Sequence, residues 1–261
     1  MASVPDMIKK QPARIAILFP GQGSQALGMT SELAEIYPEI RDTFAEASEA
    51  LSEDLWAICQ DEEKLNQTQY TQPALLTASI AIWRILQPKF KKAPCYLAGH
   101  SLGEYSALCA AGVISLADAV RLVHTRGQLM QEAVVGIDTA MAAVLGLEDH
   151  RVENLCEQAT EHVDGAIVGA ANFNSPGQVV VSGNAAGVTA VIDKVKNTGK
   201  KAIPLKVSVP SHCALMAPAS SALAEALAAI KFDQATIPVI QNRHARVESS
   251  AAGIKQALTE Q

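Results

Sequence analysis

Apolar positions along the chain fall into short continuous runs and longer stretches with helical spacing. Arg14-Ile15-Ala16-Ile17-Leu18-Phe19 is almost wholly apolar, which predicts a strand buried on both faces, as in a parallel sheet. It stops at Pro20-Gly21-Gln22-Gly23-Ser24-Gln25. Pro38 suits the first residue of a helix that puts Ile40, Phe44, Ala47 and Leu51 on one face. Pro73 is expected to open a second helix, Ala74 to Leu86, ended by Gln87-Pro88. A basic linker, Lys89 to Lys92, leads to a short strand from Tyr96, and a helix follows Ser101 to about Ala111 and Gly112. Ser115-Leu116-Ala117-Asp118 has the form of a capping box with Asp in the place of Glu or Gln. It opens a helix to about Ala133 with Leu116, Val120, Val123 and Leu129/Met130 inward.

The pattern then changes. Ala140 to Leu145 reads as strand, Glu148 to Thr160 as helix and Ala166 to Phe173 as strand. Ser175-Pro176-Gly177-Gln178 has Pro and Gly where a type II turn wants them. Gln178 to Ser182 returns as strand, Asn184 caps a helix to about Lys196, and Lys201 to Val207 closes the series. The order β-α-β-β-α-β predicts a ferredoxin-like subdomain over 137–206. It is inserted into a larger α/β body formed by residues 14–136 and 207–261, behind an N-terminal tail of residues 1–13. After Ser208-Val209-Pro210-Ser211-His212 a helix rich in Ala and Leu is expected at once, reaching Ile230. A strand over Ile237 to Gln241 and a helix over Ala251 to Glu260 end the chain.

Composition narrows the class. In 261 residues, 49% apolar and 18% charged side chains allow a real core, and a net charge of −6 argues against nucleic acid or an anionic membrane as partner. Met1 to Arg14 lacks an apolar core segment, so no signal peptide is expected, and no apolar run is long enough to span a membrane. Cys59, Cys95, Cys109, Cys156 and Cys213 are scattered, with no metal-ligand spacing. They read as reduced thiols of a cytoplasmic protein.

The chemistry centres on Gly99-His100-Ser101-Leu102-Gly103, the G-x-S-x-G pattern of a nucleophile elbow between strand and helix. Such a turn holds the serine hydroxyl out at its tip, and the N–H groups that follow lie at a helix N-terminus, where an oxyanion is favoured. The glycines around Gln22 imply a loop that approaches something closely. A second oxyanion donor fits, a phosphate loop lacks its lysine, and a plain connecting turn stays open. His212 sits where the insert returns to the body, a position from which it can serve the serine as base. Arg121 and Arg126 point in different directions on one helix, and periodicity does not decide which reaches the elbow.

Taken together, Phe19-Pro20-Gly21-Gln22-Gly23-Ser24-Gln25, Gly99 to Tyr105, Arg126-Gly127, Asn172 to Gln178 and Val209-Pro210-Ser211-His212 resemble the malonyl-CoA:acyl-carrier-protein transacylases of type II fatty acid synthesis. The similarity runs from about Ile15 to Gln261. It implies an α/β-hydrolase-like body with a parallel sheet and a ferredoxin-like insert. By the same resemblance Ser101 is the nucleophile, His212 the base, and Gln22 and Leu102 the backbone oxyanion hole. Arg126, not Arg121, would hold the malonyl carboxylate, with Gln22 also at the substrate, and a backbone carbonyl near Gln261 would orient the histidine in place of an acidic residue.

The implied partners are malonyl-CoA, as substrate, and acyl carrier protein, which is acidic as a family. Lys194, Lys196, Lys200, Lys201 and Lys206 are candidates for a basic rim. No metal and no cofactor are expected, and the chain is expected to be a monomer. Members of the family continue for several tens of residues past the matching glutamine, so a C-terminal part of the body is expected to be missing. Two other readings compete: a serine esterase or thioesterase, and a truncated inactive copy that still binds carrier protein.

Overall fold

The computed structural model describes residues 15–205 and 207–261. The expected tail 1–13, Arg14 and Lys206 lie outside the described residues. Strand β1 (Ala16–Phe19) leads through α1 (Ser31–Ala34), α2 (Pro38–Leu51), α3 (Leu55–Ile58) and α4 (Glu62–Leu65) to the long α5 (Thr68–Leu86). Then come β2 (Tyr96–Gly99), α6 (Leu102–Ala110) and α7 (Leu116–Glu132). The next six elements are β3 (Thr139–Leu145), α8 (Asp149–His162), β4 (Val168–Ser175), β5 (Gln178–Asn184), α9 (Ala185–Asn197) and β6 (Lys201–Pro204). The chain ends with α10 (Ala217–Ala229), β7 (Val239–Ile240) and α11 (Ala251–Thr259).

Two sheets result. In the first, β1, β2 and β7 lie side by side and parallel, with Phe19 opposite Gly99 and Ala98 opposite Ile240. In the second, the order is β4-β5-β3-β6 and every neighbouring pair is antiparallel. Helices α8 and α9 pack together on that sheet, where Val152, Cys156, Val188, Val191 and Val195 meet Ala142, Val144, Val179 and Val181. The Pro176-Gly177 turn forms as expected, with Gly177 at φ 75°, the left-handed position that a type II turn needs at its third residue.

β1 departs from expectation. Phe19 is buried, but Leu18 is 74% exposed. The strand lies at the edge of its sheet, and Phe19 packs into the core edge-on against Trp83 of α5. With one face covered, alternate residues turn outward even in an apolar run.

The helix expected to open at Pro73 opens five residues earlier, at Thr68, and carries Pro73 inside it. Proline there removes the N–H that would reach the carbonyl of Gln69, four residues back. α7 supplies a replacement: the His124 ring donates from Nδ1 to the Gln69 oxygen at 2.9 Å. Gln131 Oε1 accepts from the Gln69 N–H at 2.8 Å, one of the orphan donors of the first turn. Gly127 lets α7 come this close, since a Cβ there would stand 2.5 Å from Gln69 Cα. The start of α5 is thus fixed by tertiary contacts that no local pattern encodes. Thr68, the first residue of α5, bonds Gln22 Nε2 at 3.0 Å and Ser208 Oγ at 2.7 Å, which ties two loops of the site to α5.

We expect His124→Ala to cost about 1–2 kcal/mol of stability by leaving the Gln69 carbonyl without its donor. In a Pro73→Ala background, where residue 73 regains an N–H, the same change should cost less than half as much. Urea unfolding of the four proteins of the cycle measures that coupling.

Candidate active site

The site is built at the carboxyl ends of the three parallel strands. β2 ends at Gly99, and Ser101 follows at φ 50°, ψ −106°, a strained turn of the kind an elbow requires. The turn closes only because its flanking residues lack side chains. A Cβ on Gly99 would stand 1.9 Å from the Gly103 carbonyl carbon, and one on Gly103 would stand 2.2 Å from the Phe19 oxygen. The loop after β1 lies against the same turn, since a Cβ on Gly21 would stand 2.5 Å from the His100 oxygen. His100 itself turns away from the serine and bonds Asn174 Oδ1 of β4 at 3.0 Å.

Ser101, His212, Arg126 and Gln261 come together although they are far apart in sequence. His212 Nε2 is 2.8 Å from Ser101 Oγ, and Nδ1 is 2.8 Å from the main-chain oxygen of Gln261. A carbonyl oxygen only accepts, so Nδ1 carries the proton and Nε2 accepts from the serine hydroxyl. His212 has φ 60° and occupies a turn. The expected immediate helix is displaced: a 3-10 turn at Ala214–Met216 comes first, and α10 begins at Ala217 with Pro218 in its first turn. That spacing leaves the His212 backbone free to turn the ring toward Ser101.

Arg126 is 7% exposed. Its Nη1 donates to Gln72 Oε1 at 2.9 Å, and Nη2 donates to Ser101 Oγ and to Gln261 Oε1, each at 3.2 Å. Among the described residues no carboxylate pairs with it. Arg121 instead faces outward, bonding the Ala50 carbonyl and Asp118. Burial, then the Arg126 cation, pushes the His212 pKa down to about 4, against the opposing pull of the Gln261 oxygen. The N–H groups of Gln22 and Leu102 make no hydrogen bond among the described residues, so both are available at the elbow. A cavity of about 440 Å³ opens beside Arg126, His212 and Gln261, bounded on the β4 side by Gly169 and Ala170.

Two participants have no signal in the sequence. Asn242, just past β7, accepts from Ser101 N–H through Oδ1 at 3.0 Å and donates from Nδ2 to the Gly99 oxygen at 2.7 Å. Gln72 lies in the second turn of the apolar α5 and is fully buried. Only the packing of α5 against α7 shows that it faces Arg126. Of the lysines proposed for a basic rim, Lys194, Lys196, Lys200 and Lys201 lie within the insert, and Lys206 lies outside the described residues. Lys194 and Lys196 are on α9 and Lys201 is on β6, and among the described residues none of these four lysines lines the cavity beside His212.

Comparison with known proteins defines the class first: residues 17–257 match the acyl transferase domain family. The malonyl CoA-acyl carrier protein transacylase of Salmonella typhimurium is 52% identical over 251 residues, covering 95% of this chain and 80% of that protein. The Bacillus subtilis protein of the same name is 46% identical over 255 residues, covering 95% and 78%. The crystal structure of FabD from Acinetobacter baumannii superposes with a TM-score of 0.91 at 55% identity, over 94% of this chain and 78% of that one. A malonyl-transacylase solved in complex with a type II PKS acyl-carrier protein matches with a TM-score of 0.90 at 50% identity, over 95% and 80%. The chain belongs to the malonyl CoA-acyl carrier protein transacylases of the acyl transferase domain family.

The His212 environment makes a direct prediction. Its imidazole should titrate near pH 4 rather than near the ordinary 6.5, read by NMR of the ring. A folded pKa below the unfolded one means that the unfolded chain takes up this proton first. Stability from His212 is therefore present above about 6.5 and is lost as pH falls toward 4. A midpoint near 6.5 would contradict the buried, Arg126-facing ring.

Proposed function

We propose that this chain transfers a malonyl group from CoA to the phosphopantetheine thiol of acyl carrier protein, through an ester on Ser101, for fatty acid synthesis. The observation that carries the reading is a buried guanidinium without a carboxylate partner among the described residues, 3.2 Å from a serine oxygen that a histidine addresses at 2.8 Å. A cation left so in a protein interior is costly, and a malonyl carboxylate completes it with the planar, two-pronged match that arginine offers. The names and identities of the relatives support the same reaction.

Ser101 Oγ attacks the thioester carbonyl while His212 Nε2 takes its proton. The Gln22 and Leu102 N–H groups stabilise the tetrahedral oxyanion. The C–S bond breaks, the proton passes from His212 to the CoA sulfur, and malonyl-serine remains. The carrier-protein thiol then attacks the ester with His212 again as base, which restores the serine hydroxyl. One acyl bond is exchanged for another in each half, so neither cofactor nor metal enters the reading. Gln261 holds His212 in the productive tautomer, a role that an acidic side chain fills in other serine enzymes.

We read the body, residues 14–136 and 207–261, as α/β-hydrolase-like, on the support of the elbow and of its parallel sheet. The insert, residues 137–206, is ferredoxin-like in this reading, supported by its β-α-β-β-α-β order and by the strand order β4-β5-β3-β6 with both helices packed together. Five free cysteines suit the cytoplasm. A monomer is the expected state, which sedimentation checks. Lys194, Lys196, Lys200 and Lys201 offer positive charge to an acidic carrier protein.

Brief mixing with malonyl-CoA should add one malonyl group to the intact mass of the protein and none to Ser101→Ala. Absence of the adduct from the parent protein would sink the covalent route. Arg126→Ala should lower kcat/KM for malonyl transfer by about one to two orders of magnitude, the value of a charged hydrogen bond. Acetyl transfer should fall far less, and equal losses would remove the carboxylate role.

A further inference from the structure

We propose that Glu104 is a positioning residue for this reaction: one buried carboxylate oxygen is the common anchor of the two amide side chains that aim the nucleophile, the base and the carboxylate clamp. The inference rests on the reading of Ser101, His212 and Arg126 given above. Glu104 lies in the first turn of α6 and is fully buried. Its Oε2 accepts from Asn242 Nδ2 at 2.5 Å, from Asn242 N–H at 2.7 Å and from Gln261 Nε2 at 2.8 Å. Its Oε1 is buried and has no partner among the described residues.

The two amides carry that anchor into the site by separate arms. Asn242 turns its NH2 to Glu104 and to the Gly99 oxygen, which leaves Oδ1 facing the Ser101 N–H at 3.0 Å. Gln261 turns its NH2 to Glu104, which leaves Oε1 facing Arg126 Nη2 at 3.2 Å, while its main-chain oxygen holds His212 Nδ1 at 2.8 Å. A carboxylate oxygen only accepts and an amide presents a donor at one end and an acceptor at the other. An acceptor at this point therefore sets the polarity of both arms. The Asn242 arm holds the strained backbone of the elbow. The Gln261 arm holds the clamp and the base. Glu104 touches neither Ser101 Oγ nor Arg126 by hydrogen bond, so it acts through the amides.

The carboxyl is buried, and burial raises its pKa against the pull of the Asn242 and Gln261 donors and of Arg126. What the network uses is an acceptor at the Oε2 position, which an uncharged amide also provides. Glu104→Gln should therefore keep malonyl transfer within a few-fold of the parent. Glu104→Leu, of similar size with no acceptor, should lower kcat by about 10- to 100-fold, the scale of a misplaced reacting group, and should raise KM for malonyl-CoA. Asn242→Ala cuts one arm alone, so kcat should fall while the preference for malonyl over acetyl stays near the parent value. It tests the scheme even if Glu104→Leu does not fold.

Hydrogen exchange at the Ser101 amide reads the Asn242 arm without catalysis. Protection should be lost in Glu104→Leu and kept in Glu104→Gln. Glu104→Leu with parent kinetics and protection, Glu104→Gln as damaged as Glu104→Leu, or Asn242→Ala with unchanged kcat would each overturn the proposal. The parent protein's malonyl adduct, with Ser101→Ala as control, reports separately on whether the covalent reading holds.

Discussion

The structure depends on holding Ser101 in a backbone conformation that the residue would not adopt alone. At φ 50° and ψ −106° it costs about 1–3 kcal/mol, and the surroundings must over-determine it. They do so by close contact and by hydrogen bonds. Gly99 and Gly103 let strand and helix meet at distances that no side chain tolerates. The loop after β1 presses on the turn through Gly21, and Asn242 binds Gly99 on one side of the serine and the Ser101 N–H on the other. Because β1, β2 and β7 are parallel, their carboxyl ends deliver Gln22, Ser101 and Asn242 to one edge of the sheet. Open parallel sheets place their sites at that edge for this reason.

Electrostatics at the site follow from burying one cation whose direct hydrogen-bond partners are uncharged. Arg126 is solvated by the amide oxygens of Gln72 and Gln261 and by the serine hydroxyl, all dipoles rather than charges. Its positive charge helps to keep His212 neutral, and a neutral histidine is the form that accepts a proton. In the proposed reaction the same residue that prepares the base also receives the substrate's carboxylate. The same low dielectric that makes a free cation costly would make the proposed pairing with a malonyl carboxylate strong.

Much of this site is legible in the chain, for identifiable reasons. The elbow shows itself because only glycine satisfies its clearances, and the type II turn at Pro176-Gly177 shows itself for a similar reason. The β-α-β-β-α-β order was readable because strands and helices of that region have clean periods and capped ends, such as Asn184 Oδ1 on the Gly187 N–H. The start of α5 was not readable. Pro73 marks a helix start by local rules, and only the His124 ring, brought by α7, makes an interior proline affordable. Burial of β1 is not legible either, because an apolar run shows that a strand is apolar but not how many of its faces are covered; Leu18 lies outward on an edge strand.

Residue chemistry and spacing are enough to single out Ser101 as nucleophile candidate, because its flanking glycines dictate the turn. His212 is a candidate base by its place at the end of the insert, and the turn it occupies, in place of the expected helix, belongs to the tertiary structure. Helical phase does not distinguish Arg126 from Arg121, because two arginines five residues apart differ only in what α7 packs against; the family resemblance alone points to Arg126. Tertiary structure alone turned Arg126 inward against Gln72 and Gln261, brought Asn242 to the elbow, and joined Glu104 to both amides. Those contacts link residues up to 157 positions apart. Long-range hydrogen bonds leave no periodic trace along a chain; they exist only once packing has set which elements face each other.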